Sequence, residues 1–326
     1  MKLFPTWIGI AGALVACFAL PFAAAAQESE ADSIVMWDVP EWPETVRSDW
    51  SKETKLKLLN GAVLGGMMTY GLLYWHYGET SFQFVNEGWF DPDTIHGGAD
   101  KLGHAISTYF GVMAYSAIYD HWGYDQHRAS LYGILSSWAT FFMIEVGDGF
   151  SRHGFSVEDL AADTVGAFTG YLRREWPAFS RRVDFRVSYF PSYGERKGKD
   201  ADYCSDYSGF KYLLALKGDG FDCISSTWLR YLELQMGYYT RGYQDQDGDH
   251  YGPPMRTLYA AVGVNLSHIF DKQNWNKTAA FLHYYQPPYT FVPVDFDLDD
   301  WPLAENRDKR VPPAEKDFPG LPEAIL

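Results

Sequence analysis

Three residue pairs, five acids and one histidine in all, stand at helical spacing in otherwise apolar segments. They are Asp100 with His104, Glu145 with Asp148, and Asp159 with Asp163. Residues three or four apart share one face of a helix, and charge buried in apolar surroundings needs partners. The three helices are therefore expected to turn these groups toward one another. Carboxylates and a histidine from separate helices of a bundle can hold a metal ion, and a histidine beside carboxylates can act as a general base. The same residues also build plain ion-pair networks that fix helix register, and that is the preferred expectation here. The network comprises Asp100, Lys101, His104, Glu145, Asp148, Asp159 and Asp163. If chemistry occurs, His104, Glu145, Asp148 and Asp163 carry it.

Each member has a local argument. An acid at position 100 suits the positive end of a helix dipole. Glu145 and Asp148 close a helix, an unfavourable end for acids, so Lys101, His104 and Arg152 are expected as partners. Asp163 sits in Leu160–Gly166 with no local basic residue. Ser156 and Asp159 match a capping box, which makes Asp159 a cap before it is a catalyst. His96 and His153 flank the region in loops. No cofactor is expected: a divalent cation is compatible with these residue types, but no motif specifies one. Asp245, Asp247 and Asp249 begin like a calcium loop, yet His250 stands where glycine is required and Arg256 where glutamate is required. Asp295, Asp297, Asp299 and Asp300 read as a solvated acidic run. Walker, dinucleotide, Gly-x-Ser-x-Gly and zinc-finger patterns are absent from the sequence.

Four helices are predicted to position the constellation: Lys52–Trp75, Ala99–Tyr119, Arg128–Val146 and Ser156–Trp176. They are rich in small residues, including Gly61 and Gly65, Gly111, Gly133, Gly166 and Gly170, a composition suited to close packing in water or lipid. Two uncharged stretches are about long enough to span a bilayer. Basic residues at both ends of the bundle would place both ends in the cytoplasm, which conflicts with export, so a compact bundle is preferred over spanning. After Pro177 the period falls to two. Strands are predicted at Val183–Tyr189, Tyr207–Leu216, Leu232–Tyr238 and Leu258–Leu266, with a fifth at Ala279–Tyr285. Five are too few for a closed transmembrane barrel. The expected class is α+β, a four-helix bundle-like domain (51–176) followed by an open antiparallel sheet of four or five strands (177–300).

The N-terminus reads as a secretory signal. Lys2, an apolar run from Trp7 to Phe22 and Ala24-Ala25-Ala26 place cleavage before Gln27. The alternative is a lipobox, Leu14-Val15-Ala16-Cys17, with Cys17 lipidated. Removing residues 1–26 takes away one lysine and no acid, so the net charge moves from −15 to −16. Such a chain is a poor partner for nucleic acid. Residues 27–50 form an extended acidic lead-in, and 301–326 a flexible tail. In an oxidising compartment Cys204 and Cys223 are expected to form a disulfide.

The run Gly97-Gly98-Ala99-Asp100-Lys101-Leu102-Gly103-His104, then Glu145, Asp148, Phe155-Ser156 and Asp159, resembles the YfiM-like family of predicted periplasmic lipoproteins. The Asp-Lys-x-x-His, Glu and Ser-x-x-Asp elements are also similar to VanZ-like membrane proteins. The resemblance covers about residues 90–175 and implies an envelope location without an established activity. The expected function is a non-enzymatic structural or binding protein of the cell envelope, in the periplasm or at the periplasmic face of the outer membrane, docked on a membrane or an envelope protein. The alternative is a metal-dependent or acid–base enzyme acting on a lipid or cell-wall substrate.

Overall fold

A computed structural model describes residues 50–192, 206–243 and 254–299. The signal segment with Cys17, the lead-in up to residue 49, Asp245, Asp247, Asp249, Asp300 and the tail lie outside the described residues. The chain is α+β, with helices followed by an open five-stranded antiparallel sheet. Its described residues form two compact units. One holds residues 50–85, 104–181 and 269–282; the other holds 86–103, 182–268 and 283–299.

In the first unit, α1 (Lys52–Tyr74) is capped by Ser51, whose side chain accepts from the Thr54 amide. Helix α2 (Ala99–His121) follows Gly97 and Gly98, both at positive φ. Helix α3 (Gln126–Gly149) is capped by Asp125, and α4 (Val157–Glu175) by Ser156. A short helix, α5 (Pro177–Arg182), leads out. Two-residue strands β1 (Phe84–Val85) and β2 (Phe155–Ser156) pair in parallel ahead of α4.

The small residues work as contact points at some positions and not at others. A Cβ on Gly166 would collide with the backbone carbonyl of Ala105, and one on Gly133 with the Ser116 side chain. Helix α1 differs: a Cβ on Gly61, Gly65 or Gly66 would meet nothing within 4 Å. It docks through Leu56, Leu59 and Val63 onto Tyr115, Tyr119 and Ala129, while Leu72 and Leu73 stay exposed. By length and composition α1 and α3 could each cross a membrane; α1 is almost wholly unburied.

The sheet unit contains β3 (Val183–Tyr189), β4 (Phe210–Lys217), β5 (Leu232–Arg241), β6 (Met255–Val264) and β7 (Phe291–Asp297), paired in that order. The fifth strand is not at Ala279–Tyr285: Asn276–Leu282 is a helix (α7), preceded by α6 (Leu266–Lys272). The true fifth strand contains Pro293 and lies at the sheet edge, where a missing N–H costs no ladder bond. The acidic run on and after β7 is not simply solvated. Asp295 accepts from Tyr239, Asp297 from Thr257, and Asp299 pairs with Arg256 at 2.7 Å. The expected Cys204–Cys223 disulfide is not shown: Cys223 is an exposed free thiol, and Cys204 lies outside the described residues.

The sheet has an unusual sidedness. Its register aligns three rows across all five strands: Val183, Leu216, Leu234, Val262, Val292; then Phe185, Leu214, Met236, Ala260, Val294; then Val187, Tyr212, Tyr238, Leu258, Phe296. No row contains a charge, yet this is the exposed face. Leu234 is 60% exposed, Met236 62% and Val292 75%. One end of it is covered within the unit, where the Phe90 ring meets Tyr238 edge-on and Tyr238 donates to the Gly97 carbonyl.

The opposite face is buried along most of β3 to β6 and carries most of the charged groups. Asp184 pairs with Arg186 at 2.6 Å, His283 at 2.9 Å and Lys217 at 3.0 Å. Arg186 also reaches Glu233 and Gln286, each at 2.8 Å. Burial disfavours the Arg186 cation, but Asp184 and Glu233 outweigh it and raise its pKa. Beside these groups lies the apolar cluster Leu213, Ala215, Tyr239, Tyr259 and Ala261.

Candidate functional site

Three of the residues singled out by spacing meet within the helical unit. His104 on α2, Glu145 on α3 and Asp163 on α4 each offer a ligand atom, all within 4.8 Å of one another. His104 Nδ1 lies 3.3 Å from Asp163 Oδ1 and 3.7 Å from Glu145 Oε1. Asp163 is fully buried and Glu145 nearly so, while the His104 side chain keeps 19% exposure.

Neighbouring groups orient the two carboxylates. Thr108, one turn after His104 on α2, donates its hydroxyl to Asp163 Oδ1 at 2.6 Å. The Ser156 amide donates to Glu145 Oε2 at 3.2 Å, leaving Oε1 toward His104. The Ser156 hydroxyl accepts from the Asp159 amide at 3.2 Å, so the predicted cap at the start of α4 also braces the site.

The electrostatics follow from burial plus crowding of acids. Burial works against a charged His104, but Asp159, Asp163 and Glu145 together outweigh it and hold the imidazole well above its ordinary pKa. Glu145 is pushed up to about 8, first by burial and then by Asp159, Asp148 and Asp163, with His104 opposing. Such a pair can store a proton near neutral pH, as an acid–base couple does.

The other predicted members lie elsewhere or act at a distance. In the sheet unit, Lys101 donates to Asp100 at 2.7 Å and to Glu87 at 2.5 Å. Arg152, expected beside Glu145 and Asp148, is exposed and faces Glu79 at 3.8 Å. Asp148 is half-buried near the Tyr77 phenol, whose pKa is raised by burial and by Asp148 and Glu145. The His96 ring packs at a tilt against Tyr207, with ring centroids 4.7 Å apart, and His153 is exposed.

Sequence reasoning missed two contributors. Thr108 was detectable as the residue four after His104. Tyr77 had no motif to mark it; its buried ring fills the space left by Gly71 and Gly147, and its hydroxyl donates to the Ile144 carbonyl at 3.1 Å.

Residues 86–175 match the family described as predicted periplasmic lipoprotein (DUF2279). The match spans α2, α3 and α4, and so includes all three convergent residues. It agrees with the YfiM-like resemblance and with an exported, periplasmic location, and gives no support to the VanZ-like one. No curated protein and no solved structure matches the chain.

Proposed function

We propose that this is a structural or binding component of the cell envelope that docks on a membrane through the apolar face of its sheet. One observation carries the reading: the face with three uncharged rows is exposed, while the face bearing Asp184, Arg186, Lys217 and Glu233 is buried. A water-facing sheet ordinarily does the reverse, with its apolar side packed on the core. Apolar-out with polar-in is the arrangement of strands that meet lipid, and an exposed patch of this extent marks an interaction surface. Lipid acyl chains are the occupant that fits. The three rows offer no charge, their two hydroxyl-bearing side chains, Tyr212 and Tyr238, are buried, and β5 and β6, ten residues each, are about as long as membrane strands. The acidic chain favours neutral lipid over an anionic surface.

Co-flotation of the mature protein with zwitterionic phospholipid vesicles tests the reading. Binding is expected to resist salt and to be lost in the double variant Leu234→Asp, Val294→Asp, whose sites are exposed. Failure of the wild type to float, or binding confined to anionic vesicles and abolished by salt, would refute it. A concentration-dependent dimer in place of flotation would identify a second copy as the occupant instead.

The second reading, a metal-dependent or acid–base enzyme on a lipid or cell-wall substrate, is favoured by the convergence of His104, Glu145 and Asp163 beside a partly exposed imidazole.

A further inference from the structure

We propose that His104 Nδ1, Glu145 Oε1 and Asp163 Oδ1 form a three-ligand site for a divalent transition-metal cation. The spacing of the three atoms suits such an ion. Ligands about 2.0–2.1 Å from a tetrahedral ion stand roughly 3.3–3.4 Å from one another. The observed separations from His104 Nδ1 are 3.3 Å and 3.7 Å, close to those values, and all three ligand atoms lie within 4.8 Å of one another.

Among the ligand atoms His104 Nδ1 is buried without a hydrogen bond, and beside Asp163 Oδ1 the second oxygen of that carboxylate, Oδ2, is also unsatisfied, although buried polar atoms are ordinarily satisfied. Thr108 holds Asp163 Oδ1, and the Ser156 amide holds the other Glu145 oxygen, Oε2, leaving Oε1 toward His104, the role that outer hydrogen bonds play around metal ligands.

Charge points the same way: two buried carboxylates, Glu145 and Asp163, face a single imidazole. Buried acids in that excess need either protons or a cation. A divalent ion supplies the missing charge. Three protein ligands leave a fourth position for water or substrate, the pattern of catalytic rather than closed structural sites, and the partly exposed His104 marks the entry side.

The experiment uses tag-free mature protein, stripped with chelator, dialysed, and titrated with zinc alone by calorimetry, with bound metal counted by plasma mass spectrometry. One zinc per chain is expected. Glu145→Gln and Asp163→Asn should each weaken binding at least tenfold, while His76→Gln, at an exposed His–Glu pair, should not. Absence of zinc binding at neutral pH, or unchanged affinity in folded Glu145→Gln, overturns the proposal. If both site variants fail to fold, cobalt titration of the wild type decides. Intense visible bands of a four-coordinate ion support the site, and their absence refutes it. Vesicle binding plays no part in these readouts, so the membrane reading stands or falls separately.

Discussion

Arg186 on β3 reaches across β4 to place its Nη1 2.8 Å from Glu233 Oε1 on β5. The crossing is open because Ala215 stands between Asp184 and Gln235 in the register and carries only a methyl group. Two strands that share no ladder bond are thereby tied through a side chain that is 1% exposed. Arg186→Met would leave Asp184 and Glu233 buried with less positive charge between them. Removal of one partner from a buried pair costs about 3–5 kcal/mol. Denaturant unfolding should show a loss of that order; a loss below about 0.5 kcal/mol would mean that the cluster contributes little.

Two glycines separate packing from propensity. Gly166→Ala drives a methyl group into the Ala105 backbone carbonyl, and overpacking of this kind costs about 1–3 kcal/mol. Gly65→Ala, on the open face of α1, meets nothing and should be neutral or stabilising by up to about 1 kcal/mol from helix propensity. The comparison is made by thermal unfolding of both variants. Equal effects would contradict the helix packing described here.

The cap of α4 gives a smaller effect. Ser156→Ala removes the oxygen that accepts from the Asp159 amide but keeps the amide that holds Glu145. Loss of such a cap costs about 1 kcal/mol. The Ser156→Ala protein should melt lower and still bind zinc; a collapse of zinc binding would show that the hydroxyl belongs to the site.

Stability of the metal-free protein should fall as pH rises through the site's titration range. Glu145 has its folded pKa raised to about 8 from an ordinary 4.5. Between those values the folded state holds a proton that the unfolded state has released, so stability declines with rising pH. His104 acts in the same direction: its raised pKa adds stability that is complete below 6.5 and is lost as pH climbs through the folded value. Denaturant midpoints measured from pH 5 to pH 8 should decrease, and Glu145→Gln should flatten the slope. A slope identical in wild type and variant would remove Glu145 as its source.

The sequence by itself determined the helices and most of the strands. Ser156 with Asp159, Ser51 and the shift from period 3.6 to period 2 after Pro177 are local signals, fixed by backbone hydrogen bonding and capping within a few residues. They placed α1 through α4 and β3 through β6 to within a few residues of their observed ends. The short apolar run at Ala279–Tyr285 failed because such a run serves a buried helix as well as a strand. Phe291–Asp297 escaped because Pro293 and its acids are tolerated only at an edge, and being at an edge is a property of the assembled sheet.

For the site, spacing put His104, Glu145 and Asp163 on the right helix faces, but it gave Lys101 and Arg152 equal standing. Only the tertiary structure sends Lys101 to Glu87 and Arg152 to Glu79 while three helices bring the other groups together. The sidedness of the sheet was likewise decided in three dimensions. Alternation of Val183, Phe185 and Val187 with Asp184, Arg186 and Ser188 divides the strand into two faces without saying which is buried. That choice rests on whether the charges find partners. Here Asp184, Arg186, Lys217, Glu233 and His283 come from three strands and one loop, and only their convergence makes burial of the polar face affordable.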